Sequence, residues 1–267
     1  LLFSNELYAQ VKCNQGNQFG SLGSNGTEQT DSIPAKGAGM EIPVLASADP
    51  NEIVGPQGYV DKDSVRWVST DVTLGYTIYF ENDPEFATAN AQRVEIRCVL
   101  EENADIYSFG LGTFGFGNWV FSVEDAPAIY QERLDVRDSL GIYVDVVAGI
   151  DVQKREAFWL FSSIDPATNL PPLDANKGFL PVNDKEKHNG EGYVSFVMKA
   201  KSGIASGDSI QAQASIVFDT NEAIPTNVWK NTLDGVAPTS TFVATAQKDR
   251  PTFYDFRFDA KDDEKGS

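Results

Sequence analysis

The chain has 267 residues, enough for one large β domain or two smaller ones with a sizeable core. Its 39 acidic residues against 21 basic ones leave a formal charge of −18. That balance excludes nucleic acid as a partner, because no basic stripe is available to neutralise phosphates, and it suits a solvated surface and divalent cations.

The opening "LLFSNELYAQ" carries neither a Met nor a signal-like basic start, the pattern of a mature or excised piece of something longer. From Cys13 to Gly39 the composition is Gly, Ser, Asn and Gln, which cannot bury enough apolar surface to offset ordering entropy and reads as a linker. "NGT" at Asn25 matches a glycosylation acceptor, a pattern that short sequences also produce by chance. Nowhere is there an apolar run of the ~18 residues that a membrane helix needs.

Strand signals follow in series. In "VTLGYTIYFE", Val72, Leu74, Tyr76, Ile78 and Phe80 share one face, and in "RVEIRCVL" Val94, Ile96, Cys98 and Leu100 do the same. Cys98 there suits a buried free thiol, and a disulfide to Cys13 stays open as the other reading. "FGLGTFGFGNW" (Phe109 to Trp119) reads as a tightly bent strand pair, and "NWVFSV" aligns Trp119, Phe121 and Val123. A hairpin is expected around the polar turn Asp151 to Arg155, and a second pair from "GYVSFVMKA" and "DSIQAQASIVF" joined by "KSGIASG". With no amphipathic helix, the expected fold is all-β: an antiparallel immunoglobulin-like sandwich of about nine or ten strands. The division is residues 1–48 as an N-terminal strand and linker, 49–236 as the sandwich, and 237–267 as partial strands that open a second immunoglobulin-like domain or dock elsewhere.

Three oxygen-rich clusters stand at strand ends: Asp49, Asn51 and Glu52; Glu81, Asn82, Asp83 and Glu85; and Asp219, Asn221 and Glu222. Ca2+ takes six to eight oxygens of these types. Asp49, Asn51, Glu52, Glu81, Asp83, Asp219, Asn221 and Glu222 are therefore candidate ligands of a structural Ca2+ that stiffens a domain end. The alternative is that the same side chains close turns by accepting from nearby backbone. "DANKG" at Asp174 begins like an EF-hand, but the twelfth position holds Lys185 where a Glu is required. A looser site from Asp165, Asp174 or Asp184 is the remaining cation reading there. The segment from Ser162 to Gly192 is expected to be an ordered flap pinned by its prolines and Phe179.

No enzyme constellation emerges. The single histidine, His188, lies in the charged stretch "KEKHNGEG" and reads as solvated, and a triad or zinc site lacks parts. Paired carboxylates for glycoside hydrolysis have no fixed spacing to search for. Among Trp67, Trp119, Trp159 and Trp229, the second and third fall on core-facing positions, while Trp229 is the one whose exposure the pattern leaves open. Lys199 and Lys230 are candidates for a Lys–Asn crosslink.

Residues 49–240, through "ADPNEIVGPQGY", "TLGYTIYFENDPE", "FGLGTFGFGNW", "LDVRDSLGIYVDVVAGID", "FSSIDPAT", "GFLPVND", "GEGYVSF" and "QASIVFDTNEAIPTNVWKNTLDGVAPTS", resemble a β-sandwich domain of large bacterial cell-surface proteins frequent in Bacteroidota. The resemblance implies a secreted, surface-exposed, non-catalytic module of an adhesin-like or filament-like chain, acting as spacer or display element. It further implies neighbouring domains of the same long chain as partners, type IX secretion, and gliding or attachment. The rival function is a module that binds a surface glycan or protein ligand. Glu52 departs from the family pattern, which has Asp there.

Overall fold

The computed structural model describes residues 10–12 and 51–262. In chain order its elements are β1 (Gln10–Lys12), β2 (Ile53–Val54), β3 (Tyr59–Val60), β4 (Arg66–Ser69), β5 (Thr73–Glu81), β6 (Arg93–Leu100), β7 (Ala104–Phe116), β8 (Trp119–Phe121), β9 (Ile129–Asp135), α1 (Arg137–Leu140), β10 (Tyr143–Asp151), β11 (Glu156–Ile164), β12 (Glu191–Ala200), β13 (Ser209–Phe218), β14 (Ile224–Pro225), β15 (Trp229–Asp234), β16 (Thr239–Gln247) and β17 (Arg250–Lys261). The chain forms two units, a larger one that ends at Gly235 and a smaller one that contains β1, β16 and β17.

The larger unit is a β-sandwich. One sheet runs β3-β4-β15-β13-β6-β11-β10-β9, with β14 beside β13, and the other runs β2-β5-β12-β7-β8. Pairing is antiparallel throughout except between β4 and β15. Nine of its strands have six residues or more, in keeping with the all-β antiparallel expectation, and the additional strands are short edge or connecting pieces.

Period-two alternation creates the core, because successive side chains point to opposite faces of a sheet. Leu74, Tyr76, Ile78 and Phe80 of β5 are all buried, as are Val94, Ile96, Cys98 and Leu100 of β6. Val72, expected on the same face, precedes β5 and is exposed. The hairpin β10–β11 closes at Asp151, whose Oδ1 accepts the Gln153 and Lys154 N–H groups, with Arg155 at φ 53 completing the turn. Between the sheets Trp159 meets Phe196, which stacks on Tyr76 at 5.1 Å. Cys98 is a buried free thiol, its pKa pushed up to about 12 by burial, and Cys13 lies outside the described residues.

The expected β12–β13 hairpin is corrected. β12 lies between β5 and β7 in one sheet, and β13 lies beside β6 in the other, so "KSGIASG" is an arch across the sandwich. The reason is that both strands alternate with one apolar face, and facing strands of two sheets show that pattern as well as neighbours in one sheet do. Opposite β12, β7 carries a bulge, where Val194 pairs with Phe114 but Phe196 pairs with Leu111. Ser195 Oγ donates to the Thr113 carbonyl at 2.7 Å inside this bulge. Gly112 is required there, since a Cβ would stand 2.5 Å from Ser195 Oγ.

In the smaller unit β17 pairs with β16 on one side and with β1 on the other. Phe242 and Phe258 are directly opposed, and Phe242 stacks on Phe256 at 5.4 Å.

One buried polar atom among the described residues stands without a hydrogen-bond partner, the Tyr76 hydroxyl. Leaving such a group unpaired costs about 1–3 kcal/mol, so Tyr76→Phe is expected to leave stability unchanged or to raise it by about 1 kcal/mol. Phe196→Ala should lower it by about 3–5 kcal/mol through cavity formation. Equilibrium urea unfolding distinguishes the two.

Candidate functional site: a laced pole and its groove

Register brings the ends of several strands to one pole. Glu81 at the end of β5 faces Glu191 at the start of β12, Arg93 faces Ser162, and Val94 faces Phe218. The loops at this pole therefore follow β5, β11 and β13, the places where sequence reasoning found its acids.

At this pole the structure brings the carboxylates Glu81 and Glu191 together. Like charges directly opposed across strands repel. Between them sits the amide of Asn183, only 5% exposed, whose Nδ2 donates to Glu81 Oε1 at 2.8 Å and to Glu191 Oε1 at 3.0 Å. The other end of that amide, Oδ1, accepts the Gly190 N–H at 3.0 Å. His188 Nδ1 lies 2.6 Å from Glu191 Oε1, and the carboxylate raises the imidazole pKa above its ordinary value. His188 is exposed, as expected, but it is joined to Glu191, a contact that depends on the fold of the loop. Asn82 continues the lacing: its Nδ2 donates to the carbonyls of Ala89 and Leu180, at 3.0 and 3.1 Å.

The remaining candidate ligands are distributed. Asn51 Oδ1 accepts the Glu81 N–H at 3.4 Å, which places Asn51 and Glu81 together, and Glu52 follows at the start of β2 with its backbone carbonyl bonded to Tyr79 N–H. Asp83 Oδ1 closes its own turn on the Glu85 N–H at 2.9 Å. Asp219, at φ 53, accepts the Gln92 and Arg93 N–H groups at 3.0 and 2.9 Å. Asn221 and Glu222 are exposed in the β13–β14 turn, and Asp49 lies outside the described residues. Among the described residues, no group of three or more His, Cys, Asp or Glu side chains is arranged to hold a metal ion. The acids of the looser candidate site are turn formers too. Asp165, Asp174 and Asp184 each accept the backbone N–H two residues on.

The segment after β11 is an ordered flap, as expected. Phe179 and Leu180 are buried, Phe179 stacks on Phe161 at 5.6 Å and meets the edge of Phe116 at 5.1 Å, and its N–H donates to Ser163 Oγ. Leu180 pairs with Ala91 as an isolated bridge. Asn90 and Gln92 reach the flap carbonyls of Asn176 and Asp174 at 2.6 and 2.9 Å. Beside this seam lies a groove of about 470 Å³ lined by Asn90, Gln92, Ser162, Pro172, Leu173 and Asp219, among others. Leu173 stands fully exposed on its lip, and Leu170 is exposed nearby.

Trp229, whose exposure the pattern left open, is buried. Its Nε1 donates to Asn231 Oδ1 at 3.0 Å, and the Arg66 guanidinium lies 4.2 Å above its ring. Asn231 in turn donates to the Pro56 carbonyl, and Asn227 exchanges two hydrogen bonds with Ile53. Sequence reasoning missed these asparagines; the density of Asn in "IPTNVWKNT" was the available signal. Trp159 is buried, Trp119 is half-buried, and Trp67 is half-buried with its Nε1 donating to Asp61. Lys199 and Lys230 are exposed.

Residues 174–232 match a family model described as a domain of unknown function, DUF7619. That stretch runs from the flap into β15. No curated protein matches the chain. Among solved structures the chain is similar to the C-terminal domain of the AgI/II polypeptide BspA of Streptococcus agalactiae, at 12% identity and TM-score 0.40, over 73% of this chain and 53% of that one. It is also similar to the C-terminal domain of the antigen I/II-family protein AspA of Streptococcus pyogenes, at 14% identity and TM-score 0.39, over 73% and 56%. A collagen-binding domain from a Staphylococcus aureus adhesin matches at 9% identity and TM-score 0.34, over 70% and 98%. The chain spans about half the length of the two streptococcal structures.

Asn183→Ala removes the amide shared by two carboxylates and a backbone N–H, and should cost about 2–4 kcal/mol. Asn183→Asp should cost more, because it sets a third carboxylate beside Glu81 and Glu191. Urea unfolding with unchanged slope checks both.

Proposed function

We propose that the chain is a non-catalytic module of a large secreted bacterial surface adhesin or filament-like protein, acting as a spacer and display element between neighbouring domains of the same chain. The observation that carries this reading is the laced pole. Its polar side chains are committed to holding loops and strand ends, which gives a stiff body where a modular chain needs one. The quoted motifs' resemblance to cell-surface β-sandwich domains supplies the bacterial surface setting, and type IX export with a gliding or attachment role is its finer form.

One observation favours a second reading, a carbohydrate- or protein-ligand-binding module. The groove beside the flap combines amide and hydroxyl groups with the exposed Leu173 lip. Concave sites of this mixed character suit small ligands. Arrays of glycans and of extracellular proteins probed with the chain separate the readings. A spacer stays silent, whereas a signal that Leu173→Asp abolishes establishes the binding module.

The turn-closing geometry of Asp83 and Asp219 supports a pole stiffened by hydrogen bonds without a bound cation. Melting temperatures in calcium and in EDTA at matched ionic strength are then expected to coincide. A rise in calcium, lost in the Asp219→Asn variant, would identify Ca2+ bound at these strand-end oxygens as the stiffening agent.

A further inference from the structure

We infer that the pole contains a pH-responsive clasp, in which protonated His188 fastens the loop 184–190 onto the Glu81–Glu191 pair and its deprotonation loosens the flap that walls the groove. Glu81 and Glu191 are directly opposed, and the Asn183 amide that joins them carries no charge to offset their repulsion. Among the described residues, the one cationic side chain bonded to this pair is the chain's sole histidine, 2.6 Å from Glu191 Oε1. Histidine changes charge between pH 5 and 8, unlike any other unperturbed side chain. The charged groups facing it are Glu191 on β12, Glu81 on β5 and Asp184 on its own loop, the last paired with Lys187 at 2.8 Å. All three facing groups are acids, so the imidazolium is favoured.

The clasp is tied mechanically to the flap. Asn82 bonds the Asn183 N–H through its carbonyl and the Gly190 carbonyl through its N–H, both at 2.9 Å. Gly190 is packed so closely that a Cβ would meet Asn183 Cα at 2.5 Å. Slack at 184–190 therefore passes to Asn183 and, through Pro181, to the Leu180–Ala91 bridge that anchors the flap. The sign follows from linkage. A histidine whose folded pKa lies above its ordinary value of 6.5 stabilises the clasp fully below that value, and the stabilisation is lost as pH rises through the folded pKa. Because His188 is exposed, the effect belongs to the small class of surface ion pairs.

Hydrogen exchange followed by mass spectrometry on the whole chain from pH 5.5 to 9, corrected for intrinsic rates, tests this. Peptides covering 173–192, from the groove wall through the clasp, are compared with the β10–β11 hairpin as internal reference. Opening at 173–192 is expected to rise about two- to five-fold from pH 6 to pH 8.5, with the hairpin unchanged. His188→Gln, at an exposed position, should fold normally and show the high-pH behaviour at every pH. A flat ratio in the native chain, or pH dependence that survives in His188→Gln, would overturn the inference. Neither result bears on whether the module is a spacer or a binder.

Discussion

An asparagine side chain carries the same donor and acceptor as a peptide group, and this sandwich depends on that equivalence at several of its strand ends. Asn227 exchanges both bonds with Ile53, as a strand neighbour would, and so links the short β2 to the connection between β14 and β15. Asn231, fully buried, joins Trp229 to the Pro56 carbonyl. Asn82 and Asn183 do the same at the pole for the loops after β5 and before β12. Each such bond contributes only about 1 kcal/mol net, but each group left unpaired in the interior would cost about 1–3 kcal/mol. The amides thus decide which loops can lie close to the core.

Aspartates play the complementary part at the rim. Asp219 adopts a left-handed conformation and gathers the N–H groups of Gln92 and Arg93 where the chain enters β6, while Asp83, Asp165, Asp174 and Asp184 close turns over two residues. An acidic chain can carry such a rim because these carboxylates accept from backbone N–H groups. Glu81 and Glu191 are brought face to face by strand register, and an amide and an imidazole attend them. Rigidity at the pole and the open groove beside it come from the same loops.

The long strands were legible because alternation survives in "TLGYTIYFE", "RVEIRCVL" and the β10–β11 hairpin, and Phe179 as a flap anchor was legible as a large aromatic within a long segment rich in prolines and polar residues. What stayed hidden depends on register between distant segments. β12 and β13 carry the same alternation whether they pair or face each other, so the arch read as a hairpin. Glu81 and Glu191 are separated by most of the sandwich sequence, and nothing local marks them as opposed. Asp and Asn at strand ends look alike as cation ligands and as turn formers, since both uses need an oxygen aimed a short way along the chain. Trp229 could be placed only once Asn231 was known to lie beneath it.

The most direct test of the amide lacing is the equilibrium unfolding free energy of Asn231→Asp. This change keeps the shape and replaces the donor to the Pro56 carbonyl with a second oxygen in a fully buried site. A loss of about 3 kcal/mol or more at neutral pH is expected. An unchanged midpoint with an unchanged denaturant slope would show that the buried amides are not what holds the strand ends together.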